Sequence, residues 1–193
     1  MKNILKKLYI TVSKLILPIF YNKRYLEGRH FCNGNITGYR WAWNNIFMQK
    51  ILGYNRHIPW PMSFRSVIGN KDNIEFDVDD LNNFQHFGCY FQNYNGKIII
   101  GKGTYIAPNV GIITENHDVN DLDKHTQAKN VIIGEKCWIG MNSMILPGVE
   151  LGNKTIVGAG AVVTKSFKEG NCVIVGNPAK IIKKLESEEN GKN

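Results

Sequence analysis

Two histidines stand close together in the stretch IITENHDVNDLDKHTQAKNVIIG, residues 112–134. His117 and His125 are surrounded there by Glu115, Asp118, Asp121 and Asp123. Imidazole ordinarily titrates near neutrality. A histidine within hydrogen-bond reach of a hydroxyl or amine can therefore take its proton as the oxygen or nitrogen attacks. The plainer alternative is a solvated loop whose histidines do nothing. Glu115, Asp118 or a main-chain carbonyl could orient such an imidazole. His125, eight residues beyond His117, reads as a surface or intersubunit residue rather than a second base.

The flanking sequence says what must position this loop. From Ile100 the chain divides into sixes: IGKGTY and IAPNVG, then, after the polar stretch, IGEKCW, IGMNSM, ILPGVE, LGNKTI, VGAGAV and VTKSFK. Every block begins with Ile, Leu or Val. Gly follows at 101, 134, 140, 152 and 158, and the fifth position is small or modest from Cys137 to Ala161. Such a repeat is examined before any single element. Period six fits neither an amphipathic helix nor an alternating strand. It predicts a triangular coil with one short strand per hexad, the aliphatic pointing inward and Gly helping the corner turn. Three hexads close a coil, and stacked coils form parallel strands. Ile112 to Ile133 is 21 residues, not a multiple of six, so the chain leaves the coil and resets.

Composition sets outer bounds. A chain of 193 residues suffices for one domain with a full core. A net charge of +8 suits phosphorylated ligands, an anionic membrane or nucleic acid, but no arginine-rich run or RNA-binding fingerprint is present, so nucleic acid is not expected. Cys32, Cys89, Cys137 and Cys172 form no C-x-x-C pair and read as free thiols of a reducing cytoplasm. At the N-terminus, MKNILKKLYITVSKLILPIF has no A-x-A-like site and no run long enough to span a bilayer. At helical spacing Ile4, Leu5, Leu8, Tyr9, Val12, Leu15 and Ile16 share a face opposite Lys2, Lys6, Lys7 and Lys14. A basic amphipathic helix over about residues 2–17 is expected, resting either on an anionic bilayer or on protein. Residues 1–64 read as a helical and irregular segment, 65–178 as the repeat domain with its loop at 113–130, and 179–193 as a C-terminal helix and tail.

The hexads, the loop TENHD and the tail GAGAVVTKSF…VIVGNPAKIIKKL resemble the hexapeptide-repeat acyltransferases over residues 87–185. GYNRHIPWPMSF further resembles the branch that acetylates sugars, which includes the maltose and galactoside acetyltransferases. The resemblance implies an all-β fold: a left-handed parallel β-helix with an N-terminal helical or irregular segment and a short C-terminal helix. It implies transfer of acetyl from acetyl-CoA to a sugar hydroxyl in surface polysaccharide or glycan biosynthesis, with His117 as general base. An N-acetyltransferase of an amino sugar or xenobiotic is the alternative; a β-helical metal-dependent hydrase or a non-catalytic scaffold ranks below it. No metal is expected.

Asn93 matches an asparagine set against the acceptor hydroxyl, a place Gln92 or Asn95 could take instead. Met141 matches the family's oxyanion position, where only its backbone N–H could serve. Trp138 matches a wall of the thioester site, Ala159 and Thr164 contacts of the pantetheine arm, and Lys165, Lys180 and Lys183 basic positions near the CoA phosphates. The resemblance also implies a homotrimer with sites between subunits, in the cytoplasm. Residues 1–20 would add peripheral contact at the inner face of the membrane.

Overall fold

A computed structural model describes residues 2–186. The chain climbs a three-sided prism, visiting three sheets in rotation. The first coil contains β1 (Val67–Ile68), β2 (Ile74–Glu75) and a 3-10 segment, Val78–Phe84, in place of a third strand. The second contains β3 (Tyr90–Gln92), β4 (Ile98–Ile100) and β5 (Tyr105–Ile106). The third contains β6 (Gly111–Ile113), β7 (Val131–Ile133) and β8 (Trp138–Ile139). The fourth contains β9 (Met144–Ile145), β10 (Glu150–Leu151) and β11 (Thr155–Val157). The last contains β12 (Val162–Val163), a bridge from Phe167 to Leu151, and β13 (Cys172–Val175).

The first sheet runs β1-β3-β6-β9-β12, the second β2-β4-β7-β10, and the third begins β5-β8-β11-β13. Every pair named so far is parallel. Regular coils advance eighteen residues, as Trp138 to Ile156 and Met144 to Val162 show. Ile99 pairs with Ile132, thirty-three residues on, so the polar stretch adds fifteen residues to one coil without disturbing the register on either side.

The hexad logic is visible atom by atom. The leading aliphatics Ile106, Ile133, Ile139, Ile145, Leu151, Val157 and Val163 are all buried inside the prism, and so are the fifth-position residues Cys137, Ser143, Val149, Thr155 and Ala161. The second-position glycines act differently from expectation. They do not make the corner turn; that falls to the fourth position, where Lys136, Asn142 and Lys154 have φ of 54°, 61° and 56°. Gly140 instead leaves room for the next coil, since a Cβ there would sit 2.6 Å from the Val157 carbonyl oxygen.

The N-terminal segment closes the open end of the prism. Helix α1 (Lys2–Ile16) is joined to α2 (Thr37–Asn45) by Trp43 Nε1 donating to Ser13 Oγ at 2.9 Å. Beyond α2 and its continuation to Ile51, the extended segment holding Pro59 and Pro61 buries Ile58, Trp60 and Met62. Trp60, Phe76, Phe84 and Phe91 then stack in succession at centroid distances of 4.5–5.5 Å, carrying the core from this cap into the coils.

The far end departs from expectation. The short C-terminal helix is absent from its expected start: Lys180–Lys184 is a strand, β14, paired antiparallel with β13 at the edge of the third sheet. The chain reverses at Gly176–Pro178, where Gly176 has φ of 99° and the Asn177–Pro178 peptide is cis. With the edge of β13 open, pairing satisfies the backbone of 180–184 better than an isolated helix turn of that length would. The rest of the expected tail, 187–193, lies outside the described residues.

Candidate active site

The excursion leaves the prism between the first and second sheets. It is a hairpin rather than an irregular loop. Backbone bonds run from Lys129 N to Thr114 O (2.8 Å), from Thr126 N to Asn116 O (2.8 Å) and from Asp118 N to Lys124 O (2.9 Å). His117 and His125 form an antiparallel bridge across it, and their rings lie 4.3 Å apart, inclined at 49°. Asp118, a candidate to orient His117, serves the turn instead: its Oδ1 accepts from Asn120 N at 2.8 Å.

Each imidazole is anchored through Nδ1. His117 Nδ1 lies 2.8 Å from the Leu122 carbonyl oxygen, and His125 Nδ1 lies 3.0 Å from Glu115 Oε1. A carbonyl can only accept, so His117 donates from Nδ1, and in the neutral form of the ring Nε2 keeps a lone pair. Glu115 is held at the hairpin's root. The residue is 6% exposed, and its carboxylate receives both contacts of Asn95 Nδ2, at 3.1 and 2.9 Å. Its backbone N–H donates to Gln92 Oε1 at 3.1 Å. Two oriented histidines side by side, one backed by a buried carboxylate, can abstract and return a proton at the mouth of the hairpin.

The other candidates fall in several places. Asn93 must be corrected as an acceptor-contacting residue. It is fully buried, its Oδ1 accepts from Asn70 N at 3.0 Å, and its Nδ2 donates to Asn70 O at 2.7 Å. Both ends of the amide are used in joining two coils, and no surface remains to meet a substrate. Gln92 is likewise buried and bonded to the hairpin's root; Asn95 is exposed and bound to Glu115. Trp138 is 55% exposed on the outer side of the third sheet, between Tyr105 and Ile156. Met141 and Ala159 are exposed at the corner from third to first sheet, one coil apart, joined by Gly160 N donating to Met141 O at 2.9 Å. Thr164 and Lys165 are exposed just after β12, at the corner from first to second sheet, where the hairpin also leaves.

Lys180 and Lys183 stand exposed on β14, opposite Val175 and Val173. Lys165 shares a concavity of about 350 Å³ with Ile181 and Lys184 of that strand. One chain therefore gathers the hairpin, Thr164 and Lys165 at one corner, but sets Trp138, Met141 and Ala159 on another side of the prism. Among the described residues no group of three or more His, Cys, Asp or Glu side chains is gathered to hold a metal ion.

The pairing of His125 with His117 is not apparent from their spacing alone. The signal was the polar turn former run between the histidines, Asn120 and Asp121, which centres a hairpin that pairs them. The family described as bacterial transferase hexapeptide (six repeats) matches residues 130–165, the coils directly after the hairpin. Those coils are similar to that family's repeats. A Saccharomyces cerevisiae protein provisionally named an acetyltransferase is 37% identical to this chain over 72 residues, which cover 32% of this chain and 36% of the yeast protein. The match with the maltose O-acetyltransferase of Clostridium difficile 630 is 40% identical and covers 51% of this chain and 54% of that enzyme, with a TM-score of 0.48. A mutant of the N-acyltransferase AntD from Bacillus cereus shares its fold, with 19% identity, 65% and 81% coverage and a TM-score of 0.52. The matched region thus spans about a third of the yeast relative and about half of the maltose enzyme.

Proposed function

We propose that this protein is an acetyl-CoA-dependent acetyltransferase whose acceptor is a sugar hydroxyl. The observation that carries the reading is the anchored His117. Its Nδ1 is committed to the Leu122 carbonyl, on a hairpin that rises from a hexapeptide-repeat coil, and its Nε2 is left as a base. In the proposed reaction His117 Nε2 takes the proton of the acceptor hydroxyl as that oxygen attacks the thioester carbonyl. The C–S bond breaks when the tetrahedral intermediate collapses, and the imidazolium returns the proton to the departing thiolate. The Met141 backbone N–H would face the developing oxyanion. Trp138 would wall the thioester, and Ala159 and Thr164 would contact the pantetheine arm. Lys165, Lys180 and Lys183 would act as point charges toward the CoA phosphates.

The separation of these residues on one chain supports a homotrimer. A hairpin projecting from one corner can meet Trp138, Met141 and Ala159 of a neighbour, so that a closed ring of three left-handed prisms completes three sites. Surface glycan biosynthesis in the cytoplasm is the setting this reading assigns. The test is acetyl transfer to a panel of sugars and amino sugars, with parent and His117→Ala protein compared in single turnover. Transfer only to amino sugars would replace the O-acetyl reading with the N-acetyl one, and no transfer to any acceptor would remove it.

A second reading of the base comes from the Glu115 contact. His125, backed by a buried carboxylate, has the geometry of an activated imidazole and would be the base if His117 only packs against it. The relative losses in His117→Ala and His125→Ala separate the two.

A further inference from the structure

The N-terminal helix has two apolar faces, and the fold uses one. Its inner side holds Ser13, continued by Leu17 of the following turn, both fully buried, with Tyr9 and Ile10 partly covered. Ser13 is pegged to Trp43 of α2, so α1 is fixed to the body rather than lying loosely on it. Its outer side is Ile4, Leu5, Leu8, Val12 and Leu15, extended by Ile19 of the following turn; these are 71%, 60%, 58%, 39%, 77% and 76% exposed. At 3.6 residues per turn they fall in one stripe about 100° wide. Lys7 and Lys14, both exposed, run along one border of that stripe. Lys2, Lys6, Lys23 and Arg24 bring the cations among the first 26 residues to six, and no acid occurs before Glu27.

We propose that the outer face of α1 rests on an anionic lipid surface, with Ile4, Leu5, Leu8, Val12, Leu15 and Ile19 in the acyl boundary and the bordering lysines among the headgroups. Charge selects this occupant. A second copy apposed through the same face would set lysine against lysine with no acid to pair them. An anionic headgroup layer complements an acid-free face, and the lysine stems can lie over apolar surface while their ammonium groups reach outward. The helix lies on such a surface rather than crossing it, because among the described residues no helix is long and apolar enough to span a bilayer.

The test uses the full chain and co-sedimentation with vesicles of phosphatidylcholine alone or with about 30 mol% phosphatidylglycerol. Two variants, Leu5→Glu/Leu8→Glu/Leu15→Glu and Lys7→Glu/Lys14→Glu, change only exposed side chains. Binding to the anionic vesicles should exceed binding to neutral ones about tenfold or more, and should fall as salt rises. Both variants should lose it while keeping the parent's far-ultraviolet circular dichroism and its molar mass by light scattering. Equal binding to both vesicles, or none to the anionic ones, overturns the proposal. So does a loss of oligomeric mass in the leucine variant, which would show that protein covers this face. Acetyl transfer to a soluble acceptor is read separately, so failure here leaves the proposed chemistry standing.

Discussion

His125 Nδ1 lies 3.0 Å from Glu115 Oε1, so the buried carboxylate of the hairpin serves His125 and not His117. His117 is oriented instead by the backbone of its own turn, through the Leu122 carbonyl at 2.8 Å. The two rings are 4.3 Å apart, so a change to either reaches the other. If His117 is the base, His117→Ala lowers the transfer rate by about 10²–10⁴-fold. His125→Ala and Glu115→Gln then cost less than about tenfold, because they disturb only the neighbour that supports the ring. Single-turnover rates on the three proteins check this, and a larger loss in His125→Ala reverses the assignment.

Trp138 presents more than half its surface to solvent on the third sheet. Its replacement by Ala leaves no buried cavity, so the unfolding midpoint of Trp138→Ala should stay close to the parent's. In the proposed site the indole covers the thioester. KM for acetyl-CoA should therefore rise about tenfold with a smaller change in kcat, which steady-state kinetics at varied donor concentration would show.

Two glycines of the repeat should respond differently to the same substitution. A Cβ on Gly140 would meet the Val157 carbonyl oxygen at 2.6 Å and Ala159 N at 2.7 Å, both backbone atoms of the next coil. Gly160→Ala meets nothing within 4 Å and bears only the strain of φ near +70°. Gly140→Ala should cost about 1–3 kcal/mol, and Gly160→Ala about 1 kcal/mol. Urea unfolding of the two variants beside the parent measures both.

Lys50 bears on stability alone. Its Nζ donates to the Ile58 carbonyl at 2.6 Å and lies 4.9 Å from the Tyr21 ring centre, and burial pushes its pKa down from 10.5 to about 8. Between those values the unfolded chain holds a proton that the folded chain lacks, so this residue adds stability as pH rises. The thermal midpoint of the parent, measured against Lys50→Met at each pH, should climb from about pH 8 to about pH 10.5.

The prism was legible because its signal is local and repeated. Each hexad states its inward residue by itself, and one misread block cannot displace seven others. The hairpin was legible only as an interruption, since nothing local says that residues 117 and 125 pair across a turn. Asn93 misled because an asparagine beside a polar loop looks the same whether its amide meets a substrate or the backbone of Asn70. The tail misled because KIIKKL suits a helix or an edge strand equally, and the open edge of β13 decided between them.

The sequence alone determined the period, the inward residues, the place where the chain leaves the coil and the two-faced N-terminal helix, since each rests on spacing within a few residues. Tertiary structure decided which carboxylate backs which histidine, which face of α1 is covered, and on which sides of the prism Trp138 and Lys165 stand. Those relations join residues ten to thirty or more positions apart. They depend on how coils stack and how a hairpin closes, and no local pattern encodes either.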